Sequence, residues 1–423
     1  MKKYAIVGFG CAGFSAAKAL RECCPGDVID VFSNTPDAPA NPMLTTYYVA
    51  GKIPREQVFP FGEKETLIKS LALNLFESRE VKRLDAPGRR LMLDTGEWRQ
   101  YDDIILATGS HPLIPPINGM PEHDVYVMRT VYDADRLLER IRSGLGSALV
   151  IGASWVGIKV VEALFAYGIP TVLADMAPRI FPTATIPEAA EKIHCRLEEK
   201  GIRLLFGRGI VSLREEKDGI TAVFSDGTEI KSELVALCLG MRPTLDYLNR
   251  EEIGIGRGIR VDEHQCTSVP HIYAAGDCCE TEEIVSGQPM VVNLWANSSV
   301  QGRVAARNIA GFDDRFQGNF IHNITHFLDM DFIGAGDCRS QGETVIYESP
   351  EGWSFYMISR DGTPKCINIL DNTRLSGPVK AAMLKRIGAP DSILGMDEVM
   401  ALKEAGLPES LITQIGGNRY DYA

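Results

Sequence analysis

Hydrophobic and polar positions divide the chain into three stretches, two of which open alike. A continuous apolar run, a glycine-rich turn and a helix-like segment occur at Tyr4 to Leu20 and again at Ala148 to Ala166. Unbroken apolar runs of this kind predict parallel strands whose sheet is covered on both faces. Between the two units, Glu80 to Leu84, Arg90 to Asp94 and Asp102 to Gly109 alternate and are split by turn residues, which predicts a small antiparallel meander leading back to the first sheet. Pro112, Pro115, Pro116 and Gly119 then mark a linker. The second unit continues through Thr171 to Asp175, Ile202 to Phe206, a hairpin within Gly209 to Lys231, and Leu234 to Leu239. After Gly240 the chain is expected to return to the first unit near Ile259 and Ile272 to Asp277. From about Gly311 the pattern changes to antiparallel strands at Glu343 to Glu348, Trp353 to Ser359 and Lys365 to Leu370. Helices at Ser376 to Ile387 and Asp397 to Ala405 follow, with an irregular tail from Gly416.

Composition narrows the class. With 423 residues the chain exceeds one ordinary domain, and 45% hydrophobic against 24% charged residues is an average globular balance. A formal charge of −12 disfavours nucleic acid and anionic membranes as partners, since both are polyanions. No window approaches the roughly 18 apolar residues of a membrane span, and no export-type apolar region precedes Tyr4. The ten cysteines show neither zinc-site spacing nor the density of a disulfide scaffold, so reduced thiols in a cytoplasmic protein are expected.

The glycine turns carry the first chemistry. Gly8, Gly10 and Gly13 follow a strand and open a helix: Gly8 permits a tight turn, Gly10 admits a pyrophosphate, and Gly13 allows close helix packing. The helix N-terminus offers N–H donors to phosphate. The second turn has Gly152 and Gly157, with Ser154 where a middle glycine is usual. Asp175 ends the next strand, placed to accept from ribose hydroxyls and to repel a 2′-phosphate, which favours NADH over NADPH despite the nearby Arg179. In the first unit the corresponding position is Ser33, a weaker ribose partner.

The fold class read from this order is α/β, with two Rossmann-like dinucleotide-binding domains and a C-terminal α+β domain. The expected boundaries are 1–111 and 244–313 for the first domain, 112–243 for the second, inserted within it, and 314–423 for the third, with its helical tail. Four further segments carry a family resemblance: Tyr101 to Ser110 (YDDIILATGS), Gly240 to Pro243 (GMRP), Gly258 to Asp262 (GIRVD) and Thr267 to Asp277 (TSVPHIYAAGD). In this fixed order they resemble the pyridine nucleotide-disulfide oxidoreductase superfamily, closest to its ferredoxin/rubredoxin reductase, NADH oxidase and coenzyme A disulfide reductase branches.

The resemblance implies FAD in the first domain and NADH in the second. It assigns Asp277 to the FAD ribitol, with Gly276 giving backbone room, and places Ala12, Pro42, Thr108, Gly109 and Trp295 along the FAD site. Gly240 borders the nicotinamide, and Trp155 stands where relatives have an aromatic lid. The resemblance also puts Met43 at the redox-cysteine position of NADH oxidases and coenzyme A disulfide reductases. A thioether forms neither the sulfenic acid nor the mixed disulfide that those reactions use. Where the ferredoxin-reductase branch pairs a lysine with a glutamate, this chain has Thr46 and Lys159. Two readings of Lys159 stay open: an ammonium at the flavin edge that stabilises reduced flavin, or an exposed partner of Glu162 one helical turn on. Cys11 and Cys278 read as small buried residues, and no metal is assigned to His322 and His326.

The expected function is transfer of electrons from NADH through FAD to a redox carrier of ferredoxin or rubredoxin type, or to a small-molecule acceptor, with the third domain capping the flavin or forming a homodimer interface. The rival expectations are a free-standing NADH oxidase or small-molecule reductase, and a flavin-binding subunit of a larger complex with reduced or lost NADH turnover.

Overall fold

The computed structural model describes residues 1–390 and 392–416. Four parallel strands open the chain: β1 (Lys3–Val7), β2 (Val28–Phe32), β3 (Asn74–Phe76) and β4 (Asp103–Leu106), with helices α1 (Cys11–Cys23) and α2 (Pro42–Val49) between them. Alternation along β1 decides what covers each face. Tyr4 and Ile6 pack with α1, whereas Ala5 and Val7 pack against the meander residues Val81, Leu84, Leu91 and Leu93.

The second unit repeats the plan. Strands β5 (Val125–Tyr126), β6 (Ala148–Ile151), β7 (Thr171–Asp175), β8 (Arg203–Phe206) and β9 (Leu234–Leu237) form a parallel sheet in the order β8-β7-β6-β9-β5, and α3 (Trp155–Ala166) follows β6. Ala148 and Val150 face α3, while Leu149 and Ile151 face the antiparallel strands at Ile210–Glu216 and Gly219–Phe224. The chain then returns. β10 (Ile272–Ala274) pairs with β4 and completes the first sheet as β10-β4-β1-β2-β3. Both crossings between the units run side by side, Ser110–Pro112 antiparallel to Met241–Pro243. Helix α4 (Trp295–Ile309) lies on α1, so closely that a Cβ on Gly302 would come within 2.2 Å of the Ala12 carbonyl.

Strands β11 (His322–Phe327), β12 (Met330–Gly336), β13 (Glu343–Glu348), β14 (Ser354–Arg360) and β15 (Thr363–Leu370) form an antiparallel sheet in the order β11-β12-β15-β14-β13. Ile367 and Ile369 pack beneath helices α5 (Ser376–Gly388), α6 (Met396–Glu404) and α7 (Glu409–Gly416). Cys366 and Leu370, on the opposite face, join the core of the second unit. The molecule is thus α/β with two parallel Rossmann-like sheets and a third, antiparallel α+β part.

Three expectations change. Residues 42–49, not assigned to any element from the sequence, form α2, and Gly416 belongs to a helix rather than to the irregular tail, whose remainder lies outside the described residues. The ten cysteines are not all thiols: Cys338 and Cys366 form a disulfide, while the other eight are free. Their spacing concealed this, because β12 and β15 bring them together through the pairing of Gly336 with Cys366. Among the described residues, no helix is long and apolar enough to cross a membrane.

Candidate functional site

The two glycine turns are built by the same steric demand. Gly8 has φ +107°, and a Cβ there would lie 2.1 Å from the Ala107 carbonyl; one on Gly13 would lie 2.0 Å from the Gly8 carbonyl. Gly152 and Gly157 repeat this, at 2.3 Å from Cys238 O and 1.9 Å from Gly152 O. Gly10 differs, since a Cβ there would meet nothing within 4 Å. Its missing side chain widens a space rather than satisfying the packing of the protein.

That space is an open cleft of about 580 Å³ at the N-terminus of α1. Of the expected site residues, Gly10, Ala12, Pro42, Gly109, Gly276, Asp277 and Trp295 line it, and Gly8 and Gly13 shape its floor. No side chain caps the first turn of α1 and no acid lies in that turn, so its N–H groups and the helix dipole are available to an anion. Asp277 is held by three groups: Ser110 Oγ at 3.1 Å, Arg129 at 2.9 Å and Ser298 Oγ at 3.2 Å. Arg129 and Ser298 line the cleft and were not foreseen. Their link to Asp277 arises from the fold, and only the Thr130–Asp133 capping box beside Arg129 is visible locally. Trp295 both lines the cleft and stacks on Phe61 at 5.6 Å. Open backbone at Gly10, uncapped helix donors and the carboxylate of Asp277 on the same cleft together suit a dinucleotide such as FAD.

Two expected residues turn away from the cleft. Ser33 Oγ donates to Thr35 O at 3.0 Å, and Thr108 Oγ1 donates to Thr244 O at 3.0 Å. The thiols nearby are poor nucleophiles. Burial first, and the Asp277 charge second, push Cys11 up to about 12, and burial raises Cys278. At the mouth stands Met43, 58% exposed, on the first turn of α2.

In the second unit Asp175 sits against the glycine turn, accepting from Ala153 N at 2.7 Å and from Ala177 N at 2.8 Å. Ser154 caps α3, its Oγ accepting from Gly157 N at 3.2 Å and donating to Cys238 O at 2.9 Å. Arg179 folds onto its own loop, bonding the carbonyls of Thr185 and Pro182. Gly240 has φ +107° with open space beside it. Trp155 stacks on Phe181 at 4.3 Å and on Phe332 of β12 at 5.6 Å.

Lys159 is buried and does not border the cleft, nor is it the exposed residue of the surface-pair reading. Its ammonium contacts Glu162, donates to His326 O at 2.7 Å and lies 4.0 Å from the centre of the Tyr47 ring. Lys52, also unforeseen, donates to Glu162 at 2.6 Å, so an ion pair still joins the segment around α2 to α3, through other residues than the family's pair. Burial opposes ionisation of Glu162, but hydrogen bonds from Lys159 and Lys52 outweigh it and hold the carboxyl below its usual range. Burial depresses the Lys159 ammonium against the opposing pull of Glu162. The carboxylate has two cations while Lys159 shares one anion, which is why the charge is better secured at Glu162. His322 bonds Ser376 and His326 bonds Asp331; burial lowers His322 to about 4.

Comparison with known proteins places these features. The family model described as pyridine nucleotide-disulphide oxidoreductase matches residues 2–302. An NADH oxidase of Methanocaldococcus jannaschii is 27% identical over 337 residues, covering 78% of this chain and 75% of that protein. A coenzyme A-dependent NAD(P)H sulfur oxidoreductase of Pyrococcus abyssi is 29% identical over 407 residues, covering 93% and 90%. Among solved structures, a ferredoxin reductase from Rhodopseudomonas palustris superposes with a TM-score of 0.80 at 25% identity, over 88% of this chain and 91% of that one.

Proposed function

The chain belongs to the pyridine nucleotide-disulphide oxidoreductase family as an NAD(P)H-dependent flavoprotein oxidoreductase, and from that premise we propose that it takes electrons from NADH and delivers them straight from the flavin to a small redox carrier protein. When bound, FAD supplies the chemistry, accepting a hydride and releasing electrons singly or in pairs. The protein's own groups bind and orient. The open backbone at Gly10 and the N-terminus of α1 receive the pyrophosphate, and Asp277, fixed by Arg129, Ser110 and Ser298, receives the ribitol. Asp175 supports NADH over NADPH: its carboxylate is fixed beside the glycine turn, and the nearby cation, Arg179, is committed to its own loop.

One observation carries the direct exit of electrons. The cleft mouth presents the thioether of Met43, and the thiols around the cleft are buried and held protonated. A sulfur relay has no nucleophile there. The likeness to the ferredoxin reductase supports a carrier of the iron–sulfur kind as acceptor.

The test is an anaerobic titration of the purified yellow protein with NADH and with NADPH, followed by addition of ferredoxin, rubredoxin and two-electron acceptors. NADH should bleach the flavin at lower concentration than NADPH, and a carrier should reoxidise it. The similarity to the M. jannaschii NADH oxidase supports a second reading, dioxygen as acceptor. Rapid aerobic NADH consumption without any carrier would select it. A flavin that NADH leaves oxidised would instead mark a binding subunit without turnover.

A further inference from the structure

The loop after β7 is tied to the C-terminal sheet by one buried side chain. Asn368, on β15, is fully buried; its Oδ1 accepts from Ile186 N at 2.7 Å and its Nδ2 donates to Ala184 O at 2.9 Å. Strand alternation puts Asn368 on the same face as Cys366 and Leu370, the face that meets the second unit. Cys366 is bonded to Cys338, whose sulfur lies 3.2 Å from the same Ala184 oxygen. A disulfide sulfur has no hydrogen to give, so the amide of Asn368 supplies it.

From Ala184 the bonds lead into the second glycine turn. Ala184 N and Thr185 N donate to Phe181 O at 2.7 and 2.9 Å; Phe181 N donates to Ala153 O at 2.9 Å; and Ala153 N donates to Asp175 at 2.7 Å. Phe181 has φ +47°, the left-handed region that a bulky residue rarely enters, and its ring stacks on Trp155. Such a conformation persists only where its surroundings fix it. Here the turn at 181–185 does so, and Asn368 holds that turn from the far side.

Resting on the reading of this turn as the nicotinamide dinucleotide site, we infer that Asn368 is a positioning residue for NADH, acting through Ala184, Phe181 and Ala153 on the glycine turn and on the Asp175 carboxylate. It touches no substrate. Its effect therefore falls on affinity and not on hydride transfer.

The test uses the full-length, flavin-loaded protein carrying Asn368→Ala or, with volume kept, Asn368→Asp, which retains an acceptor for Ile186 N but loses the donor to Ala184 O. Anaerobic stopped-flow reduction gives the NADH dissociation constant and the limiting rate separately. The constant should rise about tenfold, as expected when a buried backbone group loses its partner, while the limiting rate and FAD content hold. An unchanged constant in both variants, or a limiting rate that falls with it, overturns the inference. Should neither variant retain FAD, amide exchange in the wild-type protein decides. NADH should slow the amides of Ala153, Phe181 and Ile186 together, and slowing at Ala153 without Ile186 refutes the coupling. A wild-type flavin that NADH cannot reduce overturns the proposed function, and the exchange measurement, which reads binding, still decides the part played by Asn368.

Discussion

Asp277 draws its partners from three places: Ser110 just after β4, Arg129 just after β5, and Ser298 on α4. Arg129 is the one cation among them, and both side chains of the pair are largely shielded, 25% and 11% exposed. Replacing Arg129 with methionine keeps the stem's bulk and removes a charge-assisted bond of about 1.5–3 kcal/mol. The resulting carboxylate, left with two hydroxyls, should hold FAD roughly tenfold or more weakly. Flavin release on dilution, followed by fluorescence, checks this, and retention equal to wild type would remove Arg129 from the site. The contrast with the glycines shows what a sequence exposes at this scale. Gly8, Gly13 and Asp277 announce themselves because each belongs to a contiguous segment of recognisable pattern, even though the atom that excludes a side chain at Gly8 is the distant Ala107 carbonyl. Arg129 and Ser298 stayed hidden because nothing near them in sequence requires them. Their reason for being there is a carboxylate that reaches them only when β10 returns to β4.

Helix α3 poses the same question for an element. Its sequence, WVGIKVVEALFA, is apolar on almost every face, which already signals burial all round. That pattern argues against the exposed Lys159–Glu162 pair left open by the sequence, and the two are buried, but it does not tell what surrounds them: α2 on one side and the β11–β12 hairpin on the other. Helix α2 escaped because Thr45, Thr46, Tyr47, Tyr48 and Val49 are weak helix formers. Asn41 caps it, Pro42 starts it, and Val49 anchors it in the core of the second unit. The Glu162 cluster pins these elements together, Lys52 bonding from beyond α2 and Leu328 N from the hairpin. Replacing Glu162 with glutamine leaves two lysines facing a neutral amide in a buried site, a loss of about 3 kcal/mol by the usual cost of breaking such pairs. Glu162 titrates below its ordinary 4.5 in the folded protein, so its contribution is complete above that pH and is lost as pH falls through the folded value. Urea unfolding of wild type and variant should accordingly differ most near neutrality and converge under acid conditions. A gap of constant size across that range would show that the loss comes from packing and not from charge.

For the molecule as a whole, unbroken apolar runs foretold which sheets would be covered on both faces, and the duplicated strand–turn–helix pattern foretold two of them. Left unseen was how the cores merge. Residues of β12, β14 and β15 share one apolar cluster with the second unit, among them Phe332, Tyr356 and Leu370 beside Leu137, Leu164 and Phe181. The first unit keeps its own clusters, whose buried residues run up to Ala107 and resume from Tyr247. Thermodynamically the chain is then two blocks. One is the first sheet, whose edge strand β10 arrives only after the second unit has been traversed and whose cleft lies at the α1 terminus. The other is the second unit fused to the C-terminal sheet and further fastened by Asn368. A ligand stabilises the block that binds it, by about 2.7 kcal/mol at one hundred times its dissociation constant. Calorimetry of the FAD-free full-length protein should therefore show two transitions. Added FAD should raise one of them alone until the two coincide. Added NADH should raise the other, because its glycine turn and Asp175 belong to the fused block. One cooperative transition in the FAD-free protein, with calorimetric and van't Hoff enthalpies equal, would mean that α2 and the paired crossings at 110–112 and 241–243 bind the blocks into a single unit, and the two-block description would fail.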